Sequence, residues 1–337
     1  MDALVLGVLV LVLAAEFVNG WTDAPNSIAT VVSTRVLTPS QALGMASVLN
    51  ALGAMSGTAV AATIGTGIVR PEAIGVATVG AAMVAIVIWS VLAWHYGLPT
   101  SESHALIAGL SGAGLATAGP GVLIWAGWQK VLIGLVFSTF LGFAGGLTLT
   151  VAIYWIFRRQ RPGVVLRLFG RAQVLSAAFM AFSHGSNDGQ KFIGAFTLTL
   201  VLGGLLPAFA VPLWVILLCA ATMAVGTAVG GWRIVKTMGL RLTKLDPVHG
   251  FAAETAAATA IELATRLGIP VSTTHTINTA IMGVGSTRRL SAVRWGVGGE
   301  IVVAWVLTFP VCGAIAWVVA KLLTVLPAAQ AAMGAAR

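Results

Sequence analysis

Long runs of apolar residues, separated by short polar gaps, fill the sequence almost from end to end. The segments that can be drawn are 3–34, 42–68, 73–95, 98–118, 122–157, 172–203, 207–230, 250–267, 269–286 and 296–325. A membrane-spanning helix needs about 20 mostly apolar residues, and most of these segments reach that length. The pattern therefore predicts an all-α polytopic membrane protein whose first segment is retained as a span. The fourth and ninth segments are short, and we expect them not to cross fully.

The composition agrees with a protein that lies mostly in a lipid bilayer. Of the 337 residues, 58% are hydrophobic and only 9% are charged, and the mean hydropathy is +0.96. A soluble domain carries about 25% charged residues, so water could not solvate this surface. The net charge of +9 would fit a nucleic-acid-binding protein. However, the basic residues lie in the gaps between apolar runs and are not interleaved with aromatic residues, so nucleic acid is excluded as a partner.

The distribution of lysine and arginine predicts the orientation of the chain in the membrane. If the N-terminus lies outside, every second loop lies inside, and these inner loops hold most of the 19 lysine and arginine residues. Cytoplasmic loops carry such an excess. The stretch 158–171 is predicted to be a basic cytoplasmic loop between two halves of five segments each. We expect a first half at 1–157, a second half at 172–326, a C-terminal tail at 327–337, and both termini outside.

Two pairs of motifs repeat between the halves. PTSESHALIAGLSGAG (99–114) and PVSTTHTINTAIMGVG (270–285) open the two short segments, and GWTDAPNSI (20–28) aligns with GSNDGQKFI (185–193). Each half holds an odd number of segments, so a repeat must be inverted relative to the membrane, as in many secondary transporters. The sequence predicts an inverted-topology repeat of about 5+5 segments. Its discontinuous half-helices are expected to meet near the bilayer midplane.

The Pro-x-Ser-x-[Ser/Thr]-His elements within these motifs have the composition of helix N-termini. Proline suits a first helical turn, and Ser101 and Ser272 can cap amides that have no partner inside the helix. Such amides, at the positive end of the helix dipole, bind oxyanions. Ordinary helix starts look similar, but duplication between apolar runs favours a binding site. Two such ends brought together predict a site for a tetrahedral, multiply charged anion.

Asp23 and Asp188 lie inside apolar segments, where an ionised carboxylate is costly and normally marks an ion or proton pathway. An aspartate beside an anion site repels the substrate unless a cation or proton lies between them, so binding of the two becomes coupled. Asn26 offers a neutral oxygen of the kind that hard cations bind. We therefore predict cation coupling here. Glu16 and Glu254 also lie in apolar segments and need partners.

Lys191 breaks the symmetry of the repeat, because it aligns with Asn26. Its ammonium group could replace a bound monovalent cation beside Asp188, or it could reach toward the membrane surface. The sequence leaves both possibilities open. His104 and His275 are also duplicated, and we expect them to orient the two half-helices.

Three stretches, NGWTDAPNSIATVVSTRVL, SHGSNDGQKFIG and ETAAATAIELATRLGIPVSTTHT, closely resemble signatures of the PiT inorganic phosphate transporters, in particular the bacterial low-affinity phosphate permeases. The resemblance covers both halves and implies a homodimer in the cytoplasmic membrane of a bacterium. It also implies inorganic phosphate held between two discontinuous helices. The phosphate-binding residues implied are Thr100, Ser101, Ser103, Asn187, Ser272, Thr273 and Thr274. The cation-coupling residues implied are Asp23, Asn26, Asp188 and Lys191.

The chain departs from the family pattern at two positions. Thr22 stands where many members have asparagine, and Glu102 stands where the first motif often has a small polar residue. Lys191 resembles the proton-coupled or metal-phosphate branch of the family rather than the sodium branch.

Together these features predict a secondary active transporter that imports inorganic phosphate by cation-coupled symport, with a proton favoured over sodium and without a cofactor. If sodium is the coupling ion, Asp23, Asn26 and Asp188 would bind it. A metal-phosphate complex or sulfate are alternative substrates, but sulfate has no proton for carboxylate acceptors at neutral pH. An intramembrane hydrolase is the alternative of another class. No H-E-x-x-H, G-x-S-x-G or glycine-rich nucleotide motif supports it.

Overall fold

The computed structural model describes residues 2–325, and this part of the chain is all-helical. The predicted tail at 327–337 lies outside the described residues. The α-helices are α1 (Ala3–Ser33), α2 (Pro39–Ala54), α3 (Ala59–Gly67), α4 (Val76–Tyr96), α5 (Glu102–Ala118), α6 (Trp125–Phe157), α7 (Pro162–Leu202), α8 (Leu213–Val229), α9 (Trp232–Lys236), α10 (Pro247–Arg266), α11 (Thr273–Ser286) and α12 (Trp295–Val325). A π-helical stretch, Thr237–Arg241, continues α9.

The basic stretch 158–171 is mostly helix rather than loop. Helix α7 begins at Pro162, because proline fits the first turn of a helix and cannot continue a preceding one. Arg167 and Arg171 therefore lie on exposed positions of α7. The connection between α6 and α7 is confined to residues 158–161, so the predicted separator is shorter than we expected.

Five helices, α1, α4, α6, α7 and α12, are long and apolar enough to cross a membrane. Two bent pairs raise the number to seven: α2 with α3 at 67°, and α8 with Trp232–Arg241 at 59°. Helices α5 and α11 have 17 and 14 residues. At about 1.5 Å per residue they are shorter than the roughly 30 Å hydrocarbon core, as predicted from their segments. Helix α10 has 20 residues, but it is too polar to be counted among these candidate membrane spans.

The helices pack in a pattern that is unchanged when the two halves are exchanged. In chain order, α1, α2, α4, α5 and α6 correspond to α7, α8, α10, α11 and α12. Helix α5 packs against α4 and α12, and α11 packs against α10 and α6. Likewise α1 packs against α8 and α4, and α7 packs against α2 and α10. A repeated unit gives this arrangement, and the inversion of one half relative to the membrane stays a prediction.

The glycines that begin the paired aspartate motifs allow close helix contacts. A Cβ atom on Gly20 would lie 2.4 Å from the carbonyl oxygen of Met223 in α8. A Cβ atom on Gly185 would lie 2.0 Å from the carbonyl oxygen of Asn50 in α2. Small residues let helix backbones approach each other in this way. The matched glycines therefore press α1 and α7 against their neighbours one turn before each aspartate.

Helix α10 begins at a charged cap outside the membrane-spanning helices. Asp246 accepts hydrogen bonds from the backbone N–H groups of Val248 and His249, at 3.0 and 3.1 Å, and from Arg288 at 2.7 Å. Partial burial alone would raise the pKa of Asp246, but the hydrogen bonds and charges of His249 and Arg288 lower it from 3.8 to about 2. The carboxylate therefore stabilises the folded protein in its ionised form.

We expect Asp246→Ala to lower the stability at neutral pH by about 1 kcal/mol, as the loss of an N-cap does. Because the folded pKa lies below the unfolded one, this stabilisation is complete above pH 3.8 and is lost as the pH falls through about 2. The difference in thermal midpoint between parent and variant in detergent should therefore be constant near neutrality and shrink through that window. Equal midpoints at neutral pH would contradict the role of this cap.

Candidate functional site

Helices α5 and α11 begin next to each other inside the protein. Ser101 is the N-cap of α5 and accepts a hydrogen bond from the backbone N–H of His104 at 3.3 Å. Ser272 caps α11 in the same way, with the backbone N–H of His275 at 3.1 Å. The imidazole rings of His104 and His275 meet edge to face, with centroids 4.6 Å apart. The helix starts lie where the repeat predicted, and the two histidines join them.

Lys191 lies at the point where these two helices begin. Its side chain is fully buried, and its ammonium nitrogen lies 2.5 Å from Oδ1 of Asp188. The same nitrogen donates to the hydroxyl of Ser103 in α5 and to the carbonyl oxygen of Val271, at 3.0 Å, just before α11. Lys191 therefore does not reach toward the membrane surface, and it holds the aspartate of the second half in an ion pair.

Asp23 and Asn26 occupy the corresponding place in the first half, without a basic partner. Oδ2 of Asp23 accepts from the hydroxyl of Thr274 at 3.4 Å. The amide of Asn26 donates to the hydroxyls of Thr274 and Thr273, at 2.9 and 3.4 Å. Among residues 2–325, no lysine, arginine or histidine nitrogen lies within 4.0 Å of the Asp23 carboxylate. The two halves thus differ in charge at equivalent positions.

Thr273 links the two aspartate motifs. Its hydroxyl donates to Oδ2 of Asp188 at 3.1 Å and accepts from Asn26. The first turn of α11 therefore lies between α1 and α7. All the residues predicted to bind phosphate are buried, namely Thr100, Ser101, Ser103, Asn187, Ser272, Thr273 and Thr274.

Asn187 uses its whole amide to hold the chain that enters α11. Its nitrogen donates to the hydroxyl of Thr265 at 2.8 Å and to the carbonyl oxygen of Ile269 at 3.3 Å. Its oxygen accepts from the backbone N–H of Val271 at 3.2 Å. These hydrogen bonds position the start of α11, and the contact with the substrate that the resemblance implies for Asn187 stays a prediction.

Two buried side chains of the site were not among the predicted residues. Glu102, the first residue of α5, accepts hydrogen bonds from Thr22 at 3.1 Å and from Ser90 at 2.7 Å. In the sequence Glu102 stands out only as a departure from the family pattern. An acidic residue inside an apolar segment was the signal that could have identified it. The second departure, Thr22, is its hydrogen-bond partner, so the two unusual positions explain each other.

His184, one helical turn before Asp188, is the second buried residue of the site that was not predicted. Its Nε2 lies 3.5 Å from Oδ2 of Asp188, and its Nδ1 lies 3.1 Å from the side-chain oxygen of Asn50. One ligand atom from each of Asp23, His184 and Asp188 lies within 4.8 Å of the others. Two carboxylates and an imidazole can bind a divalent metal ion or a proton. The motif contained this histidine at a spacing of four residues, which places both side chains on one helix face.

The site therefore combines groups that attract an anion with groups that require a cation. Two helix N-termini, several hydroxyls and one ammonium group suit an oxyanion. The carboxylate of Asp23 lies close by without a counter-charge. Since an unpaired buried charge is costly, a cation or proton at Asp23 is the natural complement of a bound anion.

Comparisons with known proteins agree with this chemistry. The model of the Phosphate transporter family matches residues 19–316. A protein of Rhizobium meliloti (strain 1021), named "Probable low-affinity inorganic phosphate transporter", is 47% identical over 309 residues, covering 91% of this chain and 92% of the relative. A protein of Bacillus subtilis (strain 168) with the same name is 38% identical over 328 residues, covering 95% and 98%. A solved structure, "The sodium-dependent phosphate transporter", matches with a TM-score of 0.85 and 25% identity, covering 96% of this chain and 100% of that one.

Proposed function

Because this chain belongs to the phosphate transporter family and is a transporter rather than an enzyme, we propose that it imports inorganic phosphate by symport with a cation, and that this cation is a proton rather than sodium. The observation that carries the proposal is the buried ion pair of Lys191 and Asp188 at the start of both half-helices. In the other half, Asn26 stands beside Asp23 with no fixed positive charge.

We place phosphate, as part of this proposal, where α5 and α11 begin. The first amides of each helix have no partner inside the helix, and both ends contribute positive dipole charge to one volume. Ser101 and Ser272 accept the capping bonds through oxygen, so their hydroxyl hydrogens stay available to a substrate oxygen. The ammonium of Lys191 adds a charge-assisted donor. A tetrahedral oxyanion uses donors that come from several directions.

The coupling follows from the charges around Asp23. An incoming phosphate dianion meets the carboxylate of Asp23, which repels it until the carboxylate binds a cation. Sodium needs several oxygen ligands, and at the equivalent position of the second half Lys191 already supplies the positive charge. A proton on Asp23 removes its charge without further ligands. The protonated carboxyl can then donate a hydrogen bond to phosphate or to Thr274.

A metal-phosphate complex is the second candidate substrate, and the group formed by Asp23, His184 and Asp188 favours it. A divalent ion held by these side chains could bring phosphate with it. The charge of Lys191, 2.5 Å from Asp188, opposes such an ion. We therefore favour phosphate with a proton, and the test below includes the metal ion.

Uptake of labelled phosphate into proteoliposomes tests the proposal. An inward proton gradient should drive accumulation without sodium, and a sodium gradient alone should not. Omitting magnesium and transition metals should leave the rate unchanged, and excess sulfate should not compete. Accumulation that requires sodium would contradict proton coupling, and accumulation that requires a divalent metal would favour the metal-phosphate complex.

Replacing Ser101 or Ser272 by alanine should weaken phosphate binding more than cation binding. A lost donor to a charged acceptor costs about 1.5–3 kcal/mol, so the apparent affinity for phosphate should fall by tenfold or more, since about 1.4 kcal/mol is tenfold. Lost capping adds a cost in stability of about 1 kcal/mol. The dependence of the uptake rate on phosphate concentration measures phosphate binding, and its dependence on pH measures binding of the coupling proton. Ser138→Ala, which removes a buried hydroxyl in α6, is the matched control.

We also propose that the protein is a homodimer of the bacterial cytoplasmic membrane with both termini outside. The excess of lysine and arginine in every second loop supports this orientation. Impermeant thiol labelling of single cysteines at Arg35 and Lys130, expected on opposite sides, would test the orientation in intact cells. Chemical cross-linking in membranes would test the dimer.

A further inference from the structure

Glu16 and Asn19 form a buried polar pair on α1 that the mechanism above does not use. Both side chains are fully buried, and the amide nitrogen of Asn19 donates to Oε2 of Glu16 at 3.0 Å. The second oxygen of each group, Oε1 of Glu16 and Oδ1 of Asn19, is buried and has no hydrogen-bond partner within residues 2–325. Unsatisfied buried acceptors are rare and need an explanation. Here two of them occur on side chains that already contact each other.

A single proton on Glu16 would satisfy both oxygens. A protonated Oε1 can donate to Oδ1 of Asn19 while the amide of Asn19 still donates to Oε2, because planar acid and amide groups pair through two parallel hydrogen bonds. An ionised carboxylate would instead need a cation. No lysine, arginine or histidine nitrogen in the described part of the chain lies within 4.0 Å of Glu16. A sodium ion would need more oxygen ligands than this pair offers.

The surrounding titratable groups leave Glu16 without a counter-charge. Cys219 of α8, Glu102 of α5, and Asp188 and Lys191 of α7 act on it from the neighbouring helices. Lys191 is the cation among these, and it is already paired with Asp188. Helix α2 has no titratable residue. On other elements packed against α1, Glu254 accepts a hydrogen bond from Thr30, His275 stacks on Trp305, and Arg233 donates to the carbonyl oxygen of His95, so none of these groups is paired with Glu16.

Glu16 also lies in line with the coupling site. It precedes Asp23 by seven residues, which places both carboxyls on one face of α1, about 10 Å apart along the helix axis. Glu16 lies on the side of the N-terminus, which we predict to be outside. The pair is therefore placed between the external surface and Asp23.

We infer that Glu16, held by Asn19, binds the coupling proton on its way from outside to Asp23. The proton leaves external water and forms an O–H bond with Oε1 of Glu16. Water molecules that enter as the transporter opens then carry it over the remaining distance of about 10 Å to the carboxylate of Asp23, which leaves Glu16 ionised for the next proton. The inference rests on the proposed function, because it assigns a path to the proton of that symport.

The variant Glu16→Gln tests this role in the full-length protein. Its amide can donate to Oδ1 of Asn19 permanently, so the fold should be kept, but it cannot bind and release a proton. In proteoliposomes, net phosphate uptake driven by a proton gradient should fall at least about tenfold, equivalent to about 1.4 kcal/mol in the barrier. Exchange of internal for external phosphate at equal pH moves no net proton. Its rate should stay within about twofold of the parent rate, which corresponds to a change of well under about 1 kcal/mol in the barrier.

Two further variants and a spectrum complete the test. Glu16→Asp keeps a proton-binding group and should retain measurable gradient-driven uptake, whereas Glu72→Gln makes the same change at an exposed site and should alter neither rate. Infrared difference spectra of the parent should contain a carbonyl band of a protonated carboxyl that shifts in heavy water and is absent in Glu16→Gln.

Parent-like net uptake by Glu16→Gln, equal loss of net uptake and exchange in the folded variant, or an unchanged infrared spectrum would each overturn the inference. If the proposed proton symport itself is wrong, the experiment gives a different result. The parent itself would then show uptake that a sodium gradient drives and a proton gradient does not, whatever the state of Glu16.

Discussion

Asp23→Asn is expected to abolish proton-driven phosphate uptake while leaving the protein folded and nearly as stable as the parent. The Asp23 carboxylate accepts one long hydrogen bond, 3.4 Å from Thr274, and forms no ion pair with any described residue. An asparagine of the same shape keeps this contact but cannot exchange a proton. The variant should therefore lose uptake under a proton gradient but keep a thermal midpoint in detergent close to that of the parent. Uptake near the parent rate would remove Asp23 from the coupling mechanism.

Asp188→Asn should also abolish uptake, but with a loss of stability that the sequence did not predict. The ion pair is the reason, because the variant would leave the ammonium of Lys191 buried without a counter-charge. Breaking a buried pair from one side costs about 3–5 kcal/mol. The double variant Asp188→Asn, Lys191→Asn removes both charges, so its thermal midpoint should recover toward the parent value while uptake stays absent.

The sequence predicted most of the fold because the bilayer imposes a strong and local constraint. Every span must satisfy its backbone within a helix and present about 20 apolar residues to lipid, so helices such as α1 and α12 follow directly from hydropathy. The half-helices α5 and α11 were identifiable from their short length and their Pro-x-Ser starts. Local rules failed where a helix continues into water. The first turns of α7 hold two arginines, a proline and two glycines among short apolar pairs, and such a mixed stretch at the membrane surface is compatible with either loop or helix.

The sequence identified many of the residues that meet at the candidate site, but it missed Glu102 and His184 and did not predict the contacts. The duplicated motifs identified Asp23 and Asp188 through the cost of buried charge. Their partners come from helices far away in the chain, since Asn26 contacts Thr274 across 248 positions. Motif spacing gives no distance between such segments. The environment of Lys191 depends on how α5, α7 and α11 pack together, so the choice between a buried ion pair and a surface lysine needed the structure.

Lys191 is the residue at which the geometry makes the most specific functional prediction. Its ammonium occupies the position beside Asp188 that Asn26 occupies beside Asp23, and it also bonds Ser103 of α5 and the carbonyl of Val271. A fixed positive charge there can replace a monovalent cation that would otherwise have to be supplied from solution. Changing the length and charge of this side chain separately should therefore change which ion drives transport.

Lys191→Asn should make uptake depend on an added external cation, sodium above all, because it restores the symmetry with Asn26 and leaves Asp188 without its fixed charge. The parent should respond mainly to the proton gradient, with or without sodium. Lys191→Met keeps much of the side-chain length but removes the charge and supplies no oxygen ligand. Asp188 must then bind a proton to be neutral in this buried place, so uptake by this variant should be retained at low pH and lost as the pH rises. Rates of labelled phosphate uptake, measured in proteoliposomes across pH with and without sodium, distinguish the three proteins. Sodium-independent uptake by Lys191→Asn, together with parent-like uptake by Lys191→Met at every pH, would show that the ion pair with Asp188 serves packing alone and that the choice of coupling ion lies elsewhere.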